Sequence, residues 1–268
     1  MLERFPSIDV GDESISYQVT GKGEALFCLH GWAGHERTYD GILKWFNPHF
    51  KVFQLAWPGF GSVSARRSAY RISDMVRWVD TFRNKSGIDR INLMGNCIGA
   101  NVALEYAYTH PDKVKNLILN EPHAFMPDYF FLLLYPLIKD ILLNLVFKTS
   151  IGRKLLLKAF PLEEEGKGTG YTERRLTAVP THCMSAYLKA LYLYARETNL
   201  HSRPKLPVRT LFPIPRETFG QVAAFEKSYS CCFEKFESIS VEGSVHNPVV
   251  EDPRLFSEAV LPRLLDCS

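Results

Sequence analysis

Over the first 120 residues, short apolar runs alternate with segments whose apolar residues recur at helical spacing. Apolar runs of strand length cover residues 24–29, 51–55 and 114–119. Apolar side chains at intervals of three and four residues predict a helix over residues 36–47, and Ser73 predicts the N-cap of the next helix. Strands that alternate with helices at this spacing predict an α/β fold, with a mostly parallel central sheet and helices on both faces.

The second half of the chain departs from this alternation and then returns to it. Between residues 123 and 202, long apolar and aromatic tracts replace the strand pattern. Strands are again predicted at residues 208–212 and 236–241, and Asp252 followed by Pro253 predicts the start of a last helix. The pattern therefore indicates one core that is interrupted by one insertion.

One cysteine occupies a turn that is typical of a hydrolase nucleophile. A predicted strand beginning at Ile91 leads into Gly95-Asn96-Cys97-Ile98-Gly99, and a predicted helix follows to about Tyr108. Such a turn is tight and strained and lifts its central side chain clear of the sheet, while the glycines avoid clashes with the neighbouring strand and helix. Partial positive charge at the N-terminus of the following helix favours a thiolate. Cys97 is therefore the predicted nucleophile.

Two further motifs flank this turn in the chain. The strand at residues 24–29 ends in His30-Gly31-Trp32-Ala33-Gly34, and His246 follows the strand at residues 236–241. This order, with the histidine last, resembles the α/β-hydrolase superfamily over essentially the whole chain. It is most similar to the small, lid-bearing members that include C–C bond hydrolases, haloalkane dehalogenases and pimeloyl-carrier esterases. The resemblance implies a hydrolase core of residues 1–122 and 203–268, with residues 123–202 inserted as a helical lid.

The resemblance also implies roles for individual residues. His246 takes the place of the catalytic histidine, a role that suits the near-neutral pKa of histidine. His30 takes the place of a histidine that orients its loop and does no chemistry. The backbone N–H groups of Trp32 and Ile98 are expected to form the oxyanion hole. His123 is expected to lie in or beside the lid and is a weaker catalytic candidate.

The carboxylate that orients His246 has two candidates. Most relatives carry this acid just after the seventh strand, where the present chain has Glu217 and no aspartate. A minority of relatives place a glutamate after the sixth strand, and Glu121 resembles that arrangement. We prefer Glu121, with Glu217 as the alternative and a site without an acid as a third option.

A cysteine in this turn retains acyl-transfer chemistry, whereas an aspartate would have indicated dehalogenation or epoxide opening. The turn also resembles those of dienelactone hydrolases, some nonribosomal or polyketide thioesterases, and polyester synthases. Three functions are therefore considered. The first is hydrolysis of an acyl thioester or ester with an apolar acyl group, through a Cys-His-Glu triad and a covalent acyl-enzyme. The second is an acyltransferase or cyclising, thioesterase-like enzyme on the same scaffold, and the third is a non-catalytic, ligand-binding member.

Composition narrows the expected partners. The net charge is +3 and the basic residues are spread along the chain, so no nucleic-acid partner is predicted. The N-terminus has no apolar signal region, and a cytoplasmic location is expected. Residues 129–147 are apolar but contain Lys139 and Asp140, which predicts lid helices and no membrane span.

The six cysteines show no metal-ligand spacing, so neither a metal nor a cofactor is predicted. Neighbouring residues rarely meet the geometry of a disulfide, so the adjacent Cys231 and Cys232 are expected to stay reduced. The expected partner is a small-molecule or carrier-bound acyl substrate, with coenzyme A or an acyl carrier protein as possible carriers.

Overall fold

The computed structural model of the chain describes residues 5–32, 34–123, 131, 134–135, 138–152, 178–215, 220–242 and 247–266. The strands of these residues form one sheet in the order β1-β2-β4-β3-β5-β6-β7-β8. The β1–β2 and β2–β4 pairs are antiparallel and all later pairs are parallel, which confirms the predicted α/β fold. The strands are β1 Ser7–Asp9, β2 Ser14–Gly21, β3 Glu24–Leu29, β4 Phe50–Ala56, β5 Ile91–Asn96, β6 Val114–Asn120, β7 Arg209–Pro215 and β8 Phe236–Val241.

Helices flank the sheet on both sides and continue between β6 and β7. In the described residues the α-helices are α1 Leu43–Phe46, α2 Ile72–Lys85, α3 Ile98–Thr109, α4 Lys139–Leu143, α5 Thr181–Glu197, α6 Gly220–Tyr229, α7 Pro248–Glu251 and α8 Pro253–Leu265. Short 3-10 turns cover Asp40–Ile42, Pro111–Lys113, Leu200–Ser202 and Ser230–Cys232, and a π-helical turn covers Asn144–Lys148.

The prediction of a helix over residues 36–47 is wrong for the first half of that range. A 3-10 turn begins at Asp40 and α1 follows it, whereas residues 36–39 are held in turns. The Tyr39 N–H donates to Oε1 of Gln54 at 2.7 Å, and the Tyr39 hydroxyl donates to the carbonyl of Leu29 at 2.7 Å. These bonds tie the segment to β3 and β4, so tertiary contacts override the helical spacing.

Helix ends agree with the sequence at one position and differ at another. Asp252 caps α8 as predicted, because its Oδ1 accepts from the Leu255 N–H at 2.9 Å and Pro253 opens the first turn. The prediction of Ser73 as the N-cap of α2 is wrong, because α2 begins at Ile72. Arg71 is the N-cap, and its N–H donates to the Asp74 carboxylate at 2.8 Å.

Buried side chains form two clusters, one on each face of the sheet. The first joins the sheet to α2, α3 and α5 and includes Trp78. The second joins the sheet to α1 and α8, where the rings of Phe46 and Phe256 stack with centroids 6.4 Å apart. The successive residues Leu93 and Met94 of β5 belong to different clusters, because neighbouring side chains of a strand point to opposite faces. The sheet is thus covered on both sides, as predicted.

The described part of residues 123–202 contains α4, the π-helical turn and α5, and no strand. The lid boundaries predicted at residues 122 and 203 stay a prediction. None of the described helices is long and apolar enough to cross a membrane.

Candidate active site

Cys97 lies at the turn between β5 and α3, at the carboxyl edge of the parallel sheet. Its backbone has φ 53° and ψ −122°, a strained conformation that residues with side chains rarely adopt. The Cys97 N–H donates to the carbonyl of Asn120 at the end of β6, at 3.0 Å. Strain of this kind is expected where a nucleophile is held at a sharp strand-to-helix turn.

The two glycines on either side of Cys97 leave room for backbone atoms that pack closely against them. A Cβ added at Gly95 would lie 2.2 Å from the carbonyl oxygen of Gly99, and one added at Gly99 would lie 2.1 Å from that of Leu29. Real Cβ atoms do not approach so closely. The glycines therefore let α3 start directly against β3 and β5, which sets the position of Cys97.

The loop after β3 lies against Cys97. A Cβ added at Gly31 would lie 2.9 Å from the Cβ of Cys97. Fully buried His30 holds this loop: its Nε2 accepts from the Trp57 N–H at 3.0 Å, and its Nδ1 lies 2.6 Å from the carbonyl oxygen of Gly31. With Nε2 as acceptor, Nδ1 must carry the proton of a neutral ring. These contacts agree with a loop-orienting role for His30.

The two predicted oxyanion donors come from this loop and from α3. Ile98 is the first residue of α3, so its N–H has no acceptor within the helix. Trp32 follows Gly31 directly, and its indole N–H donates to the carbonyl of Met184 at 3.0 Å. The ring of Trp32 also packs edge-on against Phe147, with centroids 4.8 Å apart. The loop beside Cys97 is thereby joined to two segments of the predicted lid.

The described residues bring an unexpected histidine to the thiol. Nε2 of His123 lies 3.2 Å from Sγ of Cys97. The backbone of His123 is fixed by the side-chain amide of Asn101 in α3, which accepts from the His123 N–H at 3.0 Å and donates to its carbonyl at 3.1 Å. The imidazole is therefore held in place by the helix that directly follows Cys97.

The sequence pattern predicted that His123 lies in or beside the lid, and the contact with Cys97 was not predicted. A signal was available, because His123 follows β6 by three residues and β6 is the neighbour of β5. Residues that follow adjacent parallel strands emerge at the same edge of the sheet, where clefts form in such folds.

Glu121 lies beside Cys97 at the end of the neighbouring strand. In the β5–β6 register Asn96 pairs with Asn120, so the next residues, Cys97 and Glu121, leave the sheet side by side. Glu121 is 1% exposed and has φ 53°. Among the described residues that are not glycine, only Cys97 and Glu121 have positive φ. Two strained residues at one sheet edge make this edge the candidate site.

The predicted catalytic histidine His246 and the alternative acid Glu217 both lie outside the described residues. Their roles stay predictions. The same holds for the preference for Glu121 over Glu217.

Burial disfavours the thiolate form of three other cysteines. Burial raises the pKa of Cys28 and the pKa of Cys183, and it raises the pKa of Cys232 to about 11. All three are buried, whereas the side chain of Cys97 is partly accessible. Partial exposure beside an imidazole is the environment expected of a reactive cysteine.

A cavity of about 390 Å³ lies between the loop after β4 and the start of α5. Its lining comes from residues 59–65, 178–180, 182 and 183, and does not include Cys97. This cavity is therefore not a pocket for an acyl group bound to Cys97.

Comparison with known proteins agrees with the fold. A family model described as the alpha/beta hydrolase fold matches residues 24–156. Pimeloyl-[acyl-carrier protein] methyl ester esterase from Nitrosomonas europaea is 32% identical over 106 residues, which cover 40% of each chain. A 2-hydroxy-6-oxononadienedioate/2-hydroxy-6-oxononatrienedioate hydrolase from Klebsiella pneumoniae is 27% identical over 127 residues, 43% of each chain. In both cases the match covers less than half of the relative's own length.

A solved structure extends the likeness in fold to nearly the whole chain. The crystal structure of a hydrolase from Pseudomonas aeruginosa superposes with a TM-score of 0.82 at 18% identity, over 98% of this chain and 99% of the other. The chain has the α/β-hydrolase fold. The relatives that match part of the chain include an esterase and other hydrolases.

Proposed function

We propose that this protein hydrolyses an acyl thioester or ester with an apolar acyl group, through Cys97 as the nucleophile. The observation that carries the proposal is the strained Cys97, whose thiol contacts an imidazole at the carboxyl edge of the sheet. A thiol in this setting serves covalent acyl transfer. A merely structural cysteine needs neither the strain nor the imidazole.

The proposed reaction has two halves. In the first, Sγ of Cys97 loses its proton to His246 and attacks the acyl carbonyl carbon; the tetrahedral intermediate then expels the thiolate or alkoxide, which takes that proton. In the second, His246 deprotonates a water molecule that attacks the thioester carbon. The carboxylic acid leaves and the Cys97 thiol is restored. The oxyanion of both intermediates is stabilised by the N–H groups of Trp32 and Ile98.

Glu121 and His123 support the two residues that exchange protons in this scheme, His246 and Cys97. Glu121 orients His246 and stabilises its protonated form, as the acid of a triad does. His123 donates to Sγ and stabilises the thiolate before attack, which fits its 3.2 Å contact and its backbone anchor on Asn101.

An apolar, carrier-bound acyl group is the proposed substrate class. The Nitrosomonas europaea relative is named for an ester of an acyl-carrier protein, which suggests a carrier-bound substrate here. Trp32 and Phe147 supply aromatic surface next to the nucleophile loop, and residues 123–202 are proposed to cover the site as a lid. Such a cover would exclude water from the thioester and place the acyl chain against apolar side chains.

Acyl chain length is expected to change kcat/KM steeply. Each methylene buried in the pocket adds about 0.8 kcal/mol of binding, or about fourfold in kcat/KM, until the pocket ends. The measurement is a chain-length series of acyl-coenzyme A and p-nitrophenyl esters, with the Cys97→Ala variant as the background control.

The same series distinguishes the alternatives. A flat dependence on chain length would contradict the apolar pocket. Product that forms only when an amine or alcohol acceptor is added would replace hydrolysis by acyl transfer as the function. Binding of acyl chains without any turnover would identify a non-catalytic member.

A further inference from the structure

Two cysteines and a histidine converge at a place that the acyl chemistry does not use. Nδ1 of His201 lies 3.9 Å from Sγ of Cys231 and 3.8 Å from Sγ of Cys232. The three donor atoms all lie within 4.8 Å of one another. His201 belongs to the 3-10 turn before β7, and the cysteines belong to the 3-10 turn before β8.

The spacing of these donors is close to that of a tetrahedral zinc site. With Zn–S bonds of about 2.3 Å and Zn–N bonds of about 2.0 Å, tetrahedral angles place N and S about 3.5 Å apart. The two observed N–S separations, 3.9 and 3.8 Å, exceed this value by a few tenths of an ångström, which side-chain rotation can remove. Two thiolates and an imidazole are also the donor set that Zn²⁺ and other thiophilic ions prefer.

The backbone around the cluster is held in place before any metal arrives. The Leu206 N–H donates to the carbonyl of Cys232 at 2.8 Å, and the Glu234 N–H donates to the carbonyl of Leu206 at 3.0 Å. The ring of His201 stacks on that of Tyr229, with centroids 4.8 Å apart. Preorganised donors lower the entropic cost of binding an ion.

We propose that His201, Cys231 and Cys232 bind one thiophilic divalent ion of the Zn²⁺ type, with the fourth position open to solvent. Binding releases one proton from each thiol, so the neutral imidazole and two thiolates surround the ion and affinity rises with pH. The spacing of the cysteines alone predicts no metal, because the third donor is thirty residues away from Cys231.

The cluster lies at the opposite edge of the sheet from the nucleophile. It precedes β7 and β8, whereas Cys97 follows β5, and these strands run parallel. The ion therefore takes no part in the acyl reaction. It joins the segment that leads from α5 into β7 to the turn before β8, and so stabilises the folded state.

The test uses the full chain, reduced and freed of metal, and titrates it with Co²⁺ and then with Zn²⁺. One equivalent of Co²⁺ is expected to give the visible bands of a tetrahedral site with sulfur ligands, and Zn²⁺ should displace it. Saturating Zn²⁺ is expected to raise the unfolding midpoint by about 5–10 °C. Cys231→Ser and His201→Ala should each weaken binding by about 10–100-fold or more, since even indirect partners of a metal contribute that much.

Matched controls separate this cluster from other donors. Among the described residues, Cys97→Ser removes another thiol that contacts an imidazole, and His49→Ala removes another exposed histidine. Both controls should bind one equivalent as the unchanged chain does. The proposal is overturned if the unchanged chain binds no Co²⁺ or Zn²⁺, or if Cys231→Ser and His201→Ala bind as tightly as the controls.

Discussion

Replacing Cys97 by alanine is expected to reduce kcat/KM for acyl thioester and ester hydrolysis by about 10³–10⁶-fold, the usual cost of removing a catalytic nucleophile. The reason is that no other described thiol combines partial exposure, an adjacent imidazole and a strained turn. The measurement is steady-state kinetics with an acyl-coenzyme A, together with a check of the folded state by circular dichroism.

Two variants sharpen this result. Cys97→Ser keeps the position and hydrogen bonding of the nucleophile and should retain weak esterase activity. His49→Ala replaces an exposed side chain outside both proposed sites and should hydrolyse the substrate at the original rate. Full activity in Cys97→Ala would remove Cys97 from the mechanism.

Replacing His246 by alanine is expected to cost about 10³–10⁶-fold, because both halves of the proposed reaction pass a proton through it. Replacing His123 by alanine should cost only about 10–100-fold, the worth of one charge-assisted hydrogen bond to the thiolate at ~1.5–3 kcal/mol. Because His123 favours the thiolate, its loss should also move the acidic limb of the kcat/KM profile to higher pH. The measurement is a pair of pH profiles.

The acid is tested in the same assay with matched substitutions. Glu121→Gln keeps the size of a buried side chain and removes its charge, so activity should fall strongly. Glu217→Gln should leave activity nearly unchanged. The reverse order would transfer the role to Glu217. A His123→Ala variant as inactive as Cys97→Ala, beside an active His246→Ala, would make His123 the base.

The sheet and the nucleophile turn were predictable because their signals are local. Strands β3, β5 and β6 appear in the sequence as apolar runs, and Gly95 and Gly99 lie only two residues from Cys97 in the chain. The same local patterns predicted Asp252 as a cap, since a capping side chain acts on residues two and three positions ahead.

Contacts between segments distant in sequence account for what the patterns missed. The bonds of Tyr39 to Gln54 and Leu29 replace the first half of a predicted helix with turns. His123 reaches Cys97 only because β5 and β6 are neighbours and Asn101 anchors its backbone. Neither arrangement leaves a periodic signal in the chain, whereas Glu121 could be weighed from its resemblance to a known position.

Trapping the acyl-enzyme tests the role of Cys97 most directly. The protein is mixed with an acyl-coenzyme A, quenched in acid within the first turnovers, digested and mapped by mass spectrometry. We expect the acyl mass on the peptide that contains Cys97, as a thioester cleaved by hydroxylamine, and none on that peptide from Cys97→Ala. Turnover with no adduct on Cys97, or with the adduct on another residue, would contradict it.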